Sequence, residues 1–304
     1  MAYGKRVKPA TNEVGAQQVP ATEIVSRAKK SLGQNFLADR GAAQRIIEAL
    51  GDISQKKVLE IGPGRGALTD LLIPRTPHLI AIELDRVLAA QLRMKYANMN
   101  NVEVIEADFL DVDIASLLGP RPGTTVTGLT PQPPDKIRAV GNIPYYITSD
   151  ILLRIFDCHR FFESVVIMVQ QEVADRIVAK PGTSDYGLLS ATCQLYARIE
   201  KLFTLPPGAF SPPPKVHSSV LRLNIDPKFE RLSVEPQPFV DFLKLSFAQK
   251  RKTLVNNLKQ RYPDKGVRVA LEKAKLRSDV RAEALPLERA AAVFRSLKPE
   301  PTQD

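Results

Sequence analysis

Cysteine and histidine are scarce in this chain of 304 residues, and their scarcity closes off several chemistries. The two cysteines, Cys158 and Cys193, have neither the density of a disulfide framework nor the spacing of thiolate metal ligands, so both are expected to be reduced and structural. The three histidines, His78, His159 and His217, are scattered, and no metal site is expected. No run reaches the roughly 18 apolar residues that a bilayer crossing requires. The opening stretch MAYGKRVKPATNEVGAQQVP lacks the apolar segment of a secretory leader and reads as a flexible basic arm over residues 1–25. With 44% hydrophobic and 25% charged residues, the expectation is a cytoplasmic protein without a membrane partner. A monomer is expected too, since no long exposed apolar repeat is present.

Charge is what the chain has in excess. The formal net charge of +10 exceeds what solubility needs and points to a polyanionic partner. It is unevenly placed. From Lys244 to Asp304 there are 15 Lys and Arg against 7 Asp and Glu, and the first forty residues carry 7 against 3. The two ends are basic and the middle is close to neutral.

Five β-branched runs bounded by turn residues read as buried parallel strands: KKVLEIG (56–62), HLIAIEL (78–84), NVEVIEAD (101–108), KIRAVGN (136–142) and ESVVIMV (163–169). Helical patterns lie between them, among them ADRGAAQRIIEALG with Asp39 as cap and Gly51 as stop, DRVLAAQLRMKY and SDILLRIF. Alternation of this kind predicts a doubly wound α/β sheet. Residues 119–135, GPRPGTTVTGLTPQPPD, interrupt it as a surface excursion. Farther on, IEKLFTL and VHSSVLRL flank a proline-rich connection and predict an antiparallel hairpin closing the sheet edge, after a helix at YGLLSATCQLYA. From about residue 229 the period becomes helical. FVDFLKLSFAQKRKTLVNNLKQ sets Phe239, Leu243, Phe247, Leu254 and Leu258 on one stripe, and two more helices are expected near 266–276 and 284–297. The expected organisation is an arm (1–25), an α/β domain (26–228) and a small all-α domain (229–304).

VLEIGPGRGALTDLL (58–72) is a glycine-rich turn from strand to helix, where the backbone passes close to a ligand and helix N–H groups are free. Gly62, Gly64 and Ala67 give only a gapped match to a dinucleotide fingerprint. Two neighbours sharpen it. Glu83 ends the second strand, 21 residues after Gly62, where a carboxylate grips ribose hydroxyls, and Asp108 ends the third, within reach of an adenine edge. Either acid alone reads equally well as a strand-end carboxylate or a helix cap. Together they indicate S-adenosylmethionine as cofactor and a Rossmann-like methyltransferase sheet.

GNIPYY (141–146) then acquires chemical content. Adenine's exocyclic amine is a poor nucleophile because its lone pair is delocalised into the ring. Two acceptors aimed at its hydrogens, the Asn142 side-chain oxygen and the backbone carbonyl beside Pro144, would draw the nitrogen toward a tetrahedral shape in line with a methyl group. Pro144 fixes the turn without offering an N–H. Tyr145 would stack on the base, and Tyr146 is read as core. A structural proline turn with two core tyrosines is the competing reading.

With these residues in view, the chain resembles the KsgA-type small-subunit ribosomal RNA adenine dimethyltransferases from about Lys29 to Leu297. The resemblance rests on KKSLGQNFL (29–37), LEIGPGRGALT (59–69), IELD (82–85), EADFL (106–110), GNIPYYIT (141–148), MVQQEVADRI (168–177), AFSPPPKVHSSVLRL (209–223) and FAQKRKTLVNNL (247–258). It implies N6,N6-dimethylation of two adjacent adenosines near the 3′ end of 16S ribosomal RNA, in the immature small subunit. It further implies that Asn35 and Leu37 contact the donor with Gly62, Glu83, Asp108 and Asn142, and that Phe210 faces the target base opposite Tyr145. A hydrophobic plug is an equal reading for Phe210. Lys250, Arg251, Lys252 and Lys259 lie on what reads as a basic helix, suited to RNA phosphates or simply solvated. Three other functions share features with this pattern: a large-subunit rRNA methyltransferase of the antibiotic-resistance type, a DNA adenine methyltransferase and a non-catalytic assembly factor.

Overall fold

The computed structural model describes residues 28–29, 33–118 and 136–297; the arm expected at 1–25 and the excursion at 119–135 lie outside these. A short strand β1 (Phe36–Leu37) and helix α1 (Arg40–Glu48) precede the sheet. The Asp39 carboxylate caps α1 by accepting from the Ala42 N–H at 3.0 Å, and Gly51 turns the chain away with φ +71°. Strands β2 (Lys57–Ile61), β3 (His78–Glu83) and β4 (Val102–Glu106) follow, separated by α2 (Thr69–Leu72) and α3 (Arg86–Lys95). After α4 (Ile114–Leu118) come β5 (Ile137–Asn142), α5 (Thr148–Asp157), β6 (Phe162–Gln170), α6 (Gln171–Val178) and α7 (Leu188–Tyr196). The α/β portion ends with β7 (Ala197–Leu205), a two-residue β8 (Phe210–Ser211) and β9 (Ser218–Ile225).

Seven strands make one sheet in the order β4-β3-β2-β5-β6-β9-β7, parallel through β6. The hairpin forms as expected, and its returning strand inserts: β9 lies antiparallel between β6 and β7, so the antiparallel strand sits one place in from the edge. Alternate side chains supply the two faces. Leu59, Ile61, Ile80, Ile82, Val165 and Ile167 pack against Ile151, Leu152, Ile155 and Phe156 of α5. Val58, Leu79, Val140, Val166 and Met168 pack against Ala43, Ile46 and Ile47 of α1 and against Leu68 and Leu72. Each such fully buried side chain contributes about 1.5–3 kcal/mol, enough together to hold the strand ends rigid.

The remaining chain is helical: α8 (Phe229–Leu232), α9 (Pro236–Ser246), α10 (Leu254–Leu258), α11 (Asp264–Lys273) and α12 (Leu287–Ser296). Their core also draws on Tyr186, Ala191 and Leu195, ahead of the boundary expected at 228/229. The single stripe expected over 239–258 is two helices. Phe239, Leu243, Leu254 and Leu258 are all buried, but α9 stops at Ser246. The buried Asn257 amide donates to the carbonyls of Ser246 at 2.6 Å and Gln249 at 3.2 Å, and Thr253 Oγ1 caps the new helix by accepting from the Asn256 N–H at 3.3 Å. Side-chain capping thus replaces helix continuation over the polar run Gln249–Lys252, and the basic tract is a turn, not a helix.

Candidate active site

The strand order reverses direction between β2 and β5, and at such a point a crevice opens at the carboxyl ends of the strands. Here an open cleft is lined by the glycine turn, the ends of β3 and β4, the GNIPYY turn and residues 33–36. Gly62 and Gly64 hold φ values of +67° and +60°, a region β-carbon-bearing residues avoid. A Cβ on Gly62 would meet nothing closer than the Asn142 carbonyl at 3.9 Å, so the glycine leaves an open cradle, whereas on Gly64 it would strike the Phe36 ring at 2.9 Å. Beneath the turn, the Glu60 carboxyl is 1% exposed and accepts from Thr69 Oγ1 at 2.7 Å; burial pushes its pKa up to about 8.

Glu83 closes β3 with one carboxylate oxygen accepting from the Gly64 N–H at 2.9 Å and the other from the Asp85 N–H at 2.8 Å. Burial pushes its carboxyl above the usual range, while those two N–H groups pull the other way. Asp108 also lines the cleft, and one of its oxygens accepts from the Leu110 N–H at 2.9 Å. Between the two acids stand apolar walls from Ile82, Leu84, Phe109 and Ile143. A buried carboxylate, a second acid at the next strand end, apolar walls and a cradle free of Cβ atoms fit S-adenosylmethionine, which Glu83, Asp108, Gly62 and Gly64 would hold.

Asn142 ends β5. Its Nδ2 donates to the Asn35 carbonyl at 2.8 Å, and its Oδ1 takes no hydrogen bond from any described residue. The Pro144 carbonyl is occupied, accepting from the Ile147 N–H at 3.2 Å and the Thr148 hydroxyl at 3.4 Å. The carbonyl on the other side of the Ile143–Pro144 bond has no partner among the described residues and is free to accept. The Tyr145 hydroxyl is 2.6 Å from Ser218 Oγ on β9, fixing the ring across the cleft, and burial raises its pKa.

Three expectations change. Tyr146 is not core: it is 59% exposed and lines the cleft beside Tyr145. Phe210 and Leu37 do not line the cleft. They are paired across the β1–β8 ladder, which turns both side chains inward among Ala42, Ile46 and Val220, leaving them 4% and 8% exposed. Phe36, on the opposite face of β1, is the lining residue instead. Lys250, Arg251, Lys252 and Lys259 are exposed on and after the turn between α9 and α10, away from the cleft lining; Lys250 Nζ donates to the Ser184 carbonyl at 2.8 Å.

Sequence reasoning missed Asp85. It is 2% exposed, caps α3 through the Val87 N–H at 3.0 Å, and accepts from Lys29 Nζ at 2.9 Å and Gln34 Nε2 at 3.2 Å. Burial raises its pKa, but those hydrogen bonds outweigh it and hold the carboxyl below the usual range. The only local signal was its position as a helix cap after IEL.

Comparison with known proteins agrees with this geometry. The family described as ribosomal RNA adenine dimethylase matches residues 25–298. The chain is similar to the ribosomal RNA small subunit methyltransferase A of Koribacter versatilis, 57% identical over 270 residues, covering 89% of this chain and 94% of that one. Similarity to the protein of the same name from Acidobacterium capsulatum is 48% over 294 residues, 96% and 97% of the two chains. Among solved structures, a dimethyladenosine transferase from Plasmodium falciparum superposes with a TM-score of 0.68 at 25% identity, covering 85% of this chain and 95% of that one. The 23S rRNA methyltransferase ErmE gives 0.62 at 28% identity, covering 86% and 99%. With the family match running from residue 25 to 298, this chain belongs to the ribosomal RNA adenine dimethylase family.

Proposed function

We propose that this enzyme dimethylates N6 of two adjacent adenosines in the 3′-terminal hairpin of 16S ribosomal RNA, acting as a cytoplasmic monomer on the immature small subunit. One observation carries the reading: Asn142 is held by its nitrogen, through the Asn35 carbonyl at 2.8 Å, so its oxygen remains as an oriented acceptor at the wall of the donor cleft.

S-adenosylmethionine, when bound, supplies a methyl group on a positively charged sulfur. The chain supplies position and polarity. In the first transfer Asn142 Oδ1 and the Ile143 carbonyl accept the two hydrogens of the target amine and concentrate its lone pair toward the methyl group. In the second, one of them accepts the single hydrogen that remains, and each transfer ends with one N6 proton released to solvent. Pro144 keeps a competing N–H out of the turn. Tyr145, tethered to Ser218, offers the face on which an unstacked base rests. No covalent bond to the enzyme is required. The basic turn at Lys250–Lys252 and Lys259 would meet phosphates outside the cleft, supplying affinity without reading sequence.

Small-subunit relatives at 57% and 48% identity favour this substrate over the large-subunit alternative suggested by the ErmE likeness. The test uses tritiated S-adenosylmethionine with small subunits lacking the modification, and large subunits and duplex DNA as controls. Label recovered as N6,N6-dimethyladenosine from small subunits alone is the expected result, and label in large subunits refutes the substrate. Asn142→Ala should lower transfer about 10²- to 10³-fold, the loss seen when one oriented polar group is removed, with donor binding retained.

A further inference from the structure

We infer that Lys29 and Gln34 are positioning residues, closing a latch on Asp85 that keeps Asn142 aligned for transfer. The inference rests on the role proposed above for Asn142. Residues 33–36 line the donor cleft and, with Leu37, form a strap fixed at several points. One end is tied to Asp85, which accepts from Lys29 Nζ at 2.9 Å and Gln34 Nε2 at 3.2 Å; Gln34 Oε1 in turn accepts from the Lys29 N–H at 2.8 Å. The other end is held in a separate two-stranded ladder, through the pairing of Phe36 with Ser211 and of Leu37 with Phe210. Between these anchors, Asn35 presents its carbonyl to Asn142 Nδ2. Gly33, with φ +58°, passes so close to the Tyr146 ring that a Cβ there would lie 3.2 Å from it.

The two ends of this strap answer to two different parts of the reaction. Asp85 donates its own N–H to the Glu83 carboxylate at 2.8 Å, so the loop that holds the strap also holds the acid expected at the donor ribose. An amide has two ends of nearly the same shape, and only one of them accepts. The Asn35 carbonyl decides which end faces the cleft, because it bonds only the nitrogen. With the strap lifted, the Asn142 side chain loses that partner and samples the flipped orientation, which points N–H groups at the target amine. Alignment of Asn142 is therefore conditional on a closed strap, and the strap is closed by the latch beside Glu83.

The latch is testable without disturbing the core, since the Lys29 side chain is 46% exposed while that of Asp85 is fully covered. Lys29→Met and Gln34→Ala would be compared with wild type in three measurements: affinity for S-adenosylhomocysteine by calorimetry, amide hydrogen exchange over residues 33–37, and single-turnover methyl transfer at saturating donor. Exchange should accelerate at 33–37, affinity should fall about threefold and transfer about tenfold, the range for a charged hydrogen bond discounted for one exposed partner. Lys29→Arg should restore all three. In an Asn142→Ala background, Lys29→Met should add no further loss of transfer, because the group it positions is gone. Wild-type transfer by Lys29→Met, or losses that multiply in the double variant, would overturn the latch. If Asn142→Ala is inactive while Lys29→Met is normal, the latch alone fails; if Asn142→Ala is fully active, the proposed mechanism fails with it.

Discussion

Replacing Glu60 with glutamine should stabilise this protein in alkaline solution and leave it nearly unchanged in acid. The carboxyl lies on β2 under the donor turn, 1% exposed, with the Thr69 hydroxyl donating to it. Burial lifts its pKa from 4.5 to about 8 in the folded protein, while in the unfolded chain it titrates at the ordinary value. Between those two pH values the unfolded chain has released a proton that the folded chain keeps. The unfolded state then binds fewer protons, so stability falls as pH rises through the window and levels off above it. At about 1.36 kcal/mol per pH unit, the window from 4.5 to about 8 corresponds to a loss on the order of 5 kcal/mol. Glutamine keeps an oxygen for Thr69 and cannot ionise, so the variant avoids the loss. Urea unfolding of both proteins from about pH 4 to pH 9 measures it directly. The difference in stability should be near zero at the acid end and grow to several kcal/mol at the alkaline end. A difference that stays flat with pH would mean that Glu60 is already ionised in the fold, and would refute the reasoning.

Two further predictions concern donor and RNA. Gly64→Ala forces a β-carbon into a residue at φ +60° and against the Phe36 ring at 2.9 Å, so S-adenosylhomocysteine affinity should fall about 5- to 30-fold, from strain of about 1–2 kcal/mol; unaltered affinity in calorimetry would show that the turn is not the donor cradle. Changing Lys250, Arg251 and Lys252 together to alanine should weaken RNA binding evenly across sequences and reduce the slope of log affinity against log salt by up to about 3, with the modified adenosines unchanged. An unchanged slope would place these cations off the RNA.

How legible the protein was depends on the range of the interaction concerned. The parallel strands were readable because a strand buried on both faces needs a largely apolar run instead of strict alternation, and β2, β3, β5 and β6 each carry one. Asp39 and Gly51 marked the ends of α1 for equally local reasons, a side-chain acceptor and a left-handed backbone. That Gly62, Glu83, Asp108 and Asn142 share one cleft was readable because they lie at strand tips, a place the run itself defines. Where a reading failed, the deciding partner was distant in sequence or the competing interaction was of another kind. The apolar stripe from Phe239 to Leu258 was correct about burial and silent about the break, because Asn257 and Thr253 cap what periodicity alone would continue.

Residue type and spacing alone determined the α/β class, the glycine turn with its two acids, and the polar turn at Asn142, since each requires only neighbours within one strand and its following loop. Tertiary structure alone decided that Phe210 and Leu37 face the core, that Tyr146 faces solvent, and that β9 inserts inside the edge strand. It also decided which end of the Asn142 amide is free, through a partner 107 residues away in the chain. The physical reason is common to all of these. A side chain's direction and an amide's orientation are set by what lies across the fold, and hydrogen bonds between segments far apart in the chain leave no periodic trace in either segment.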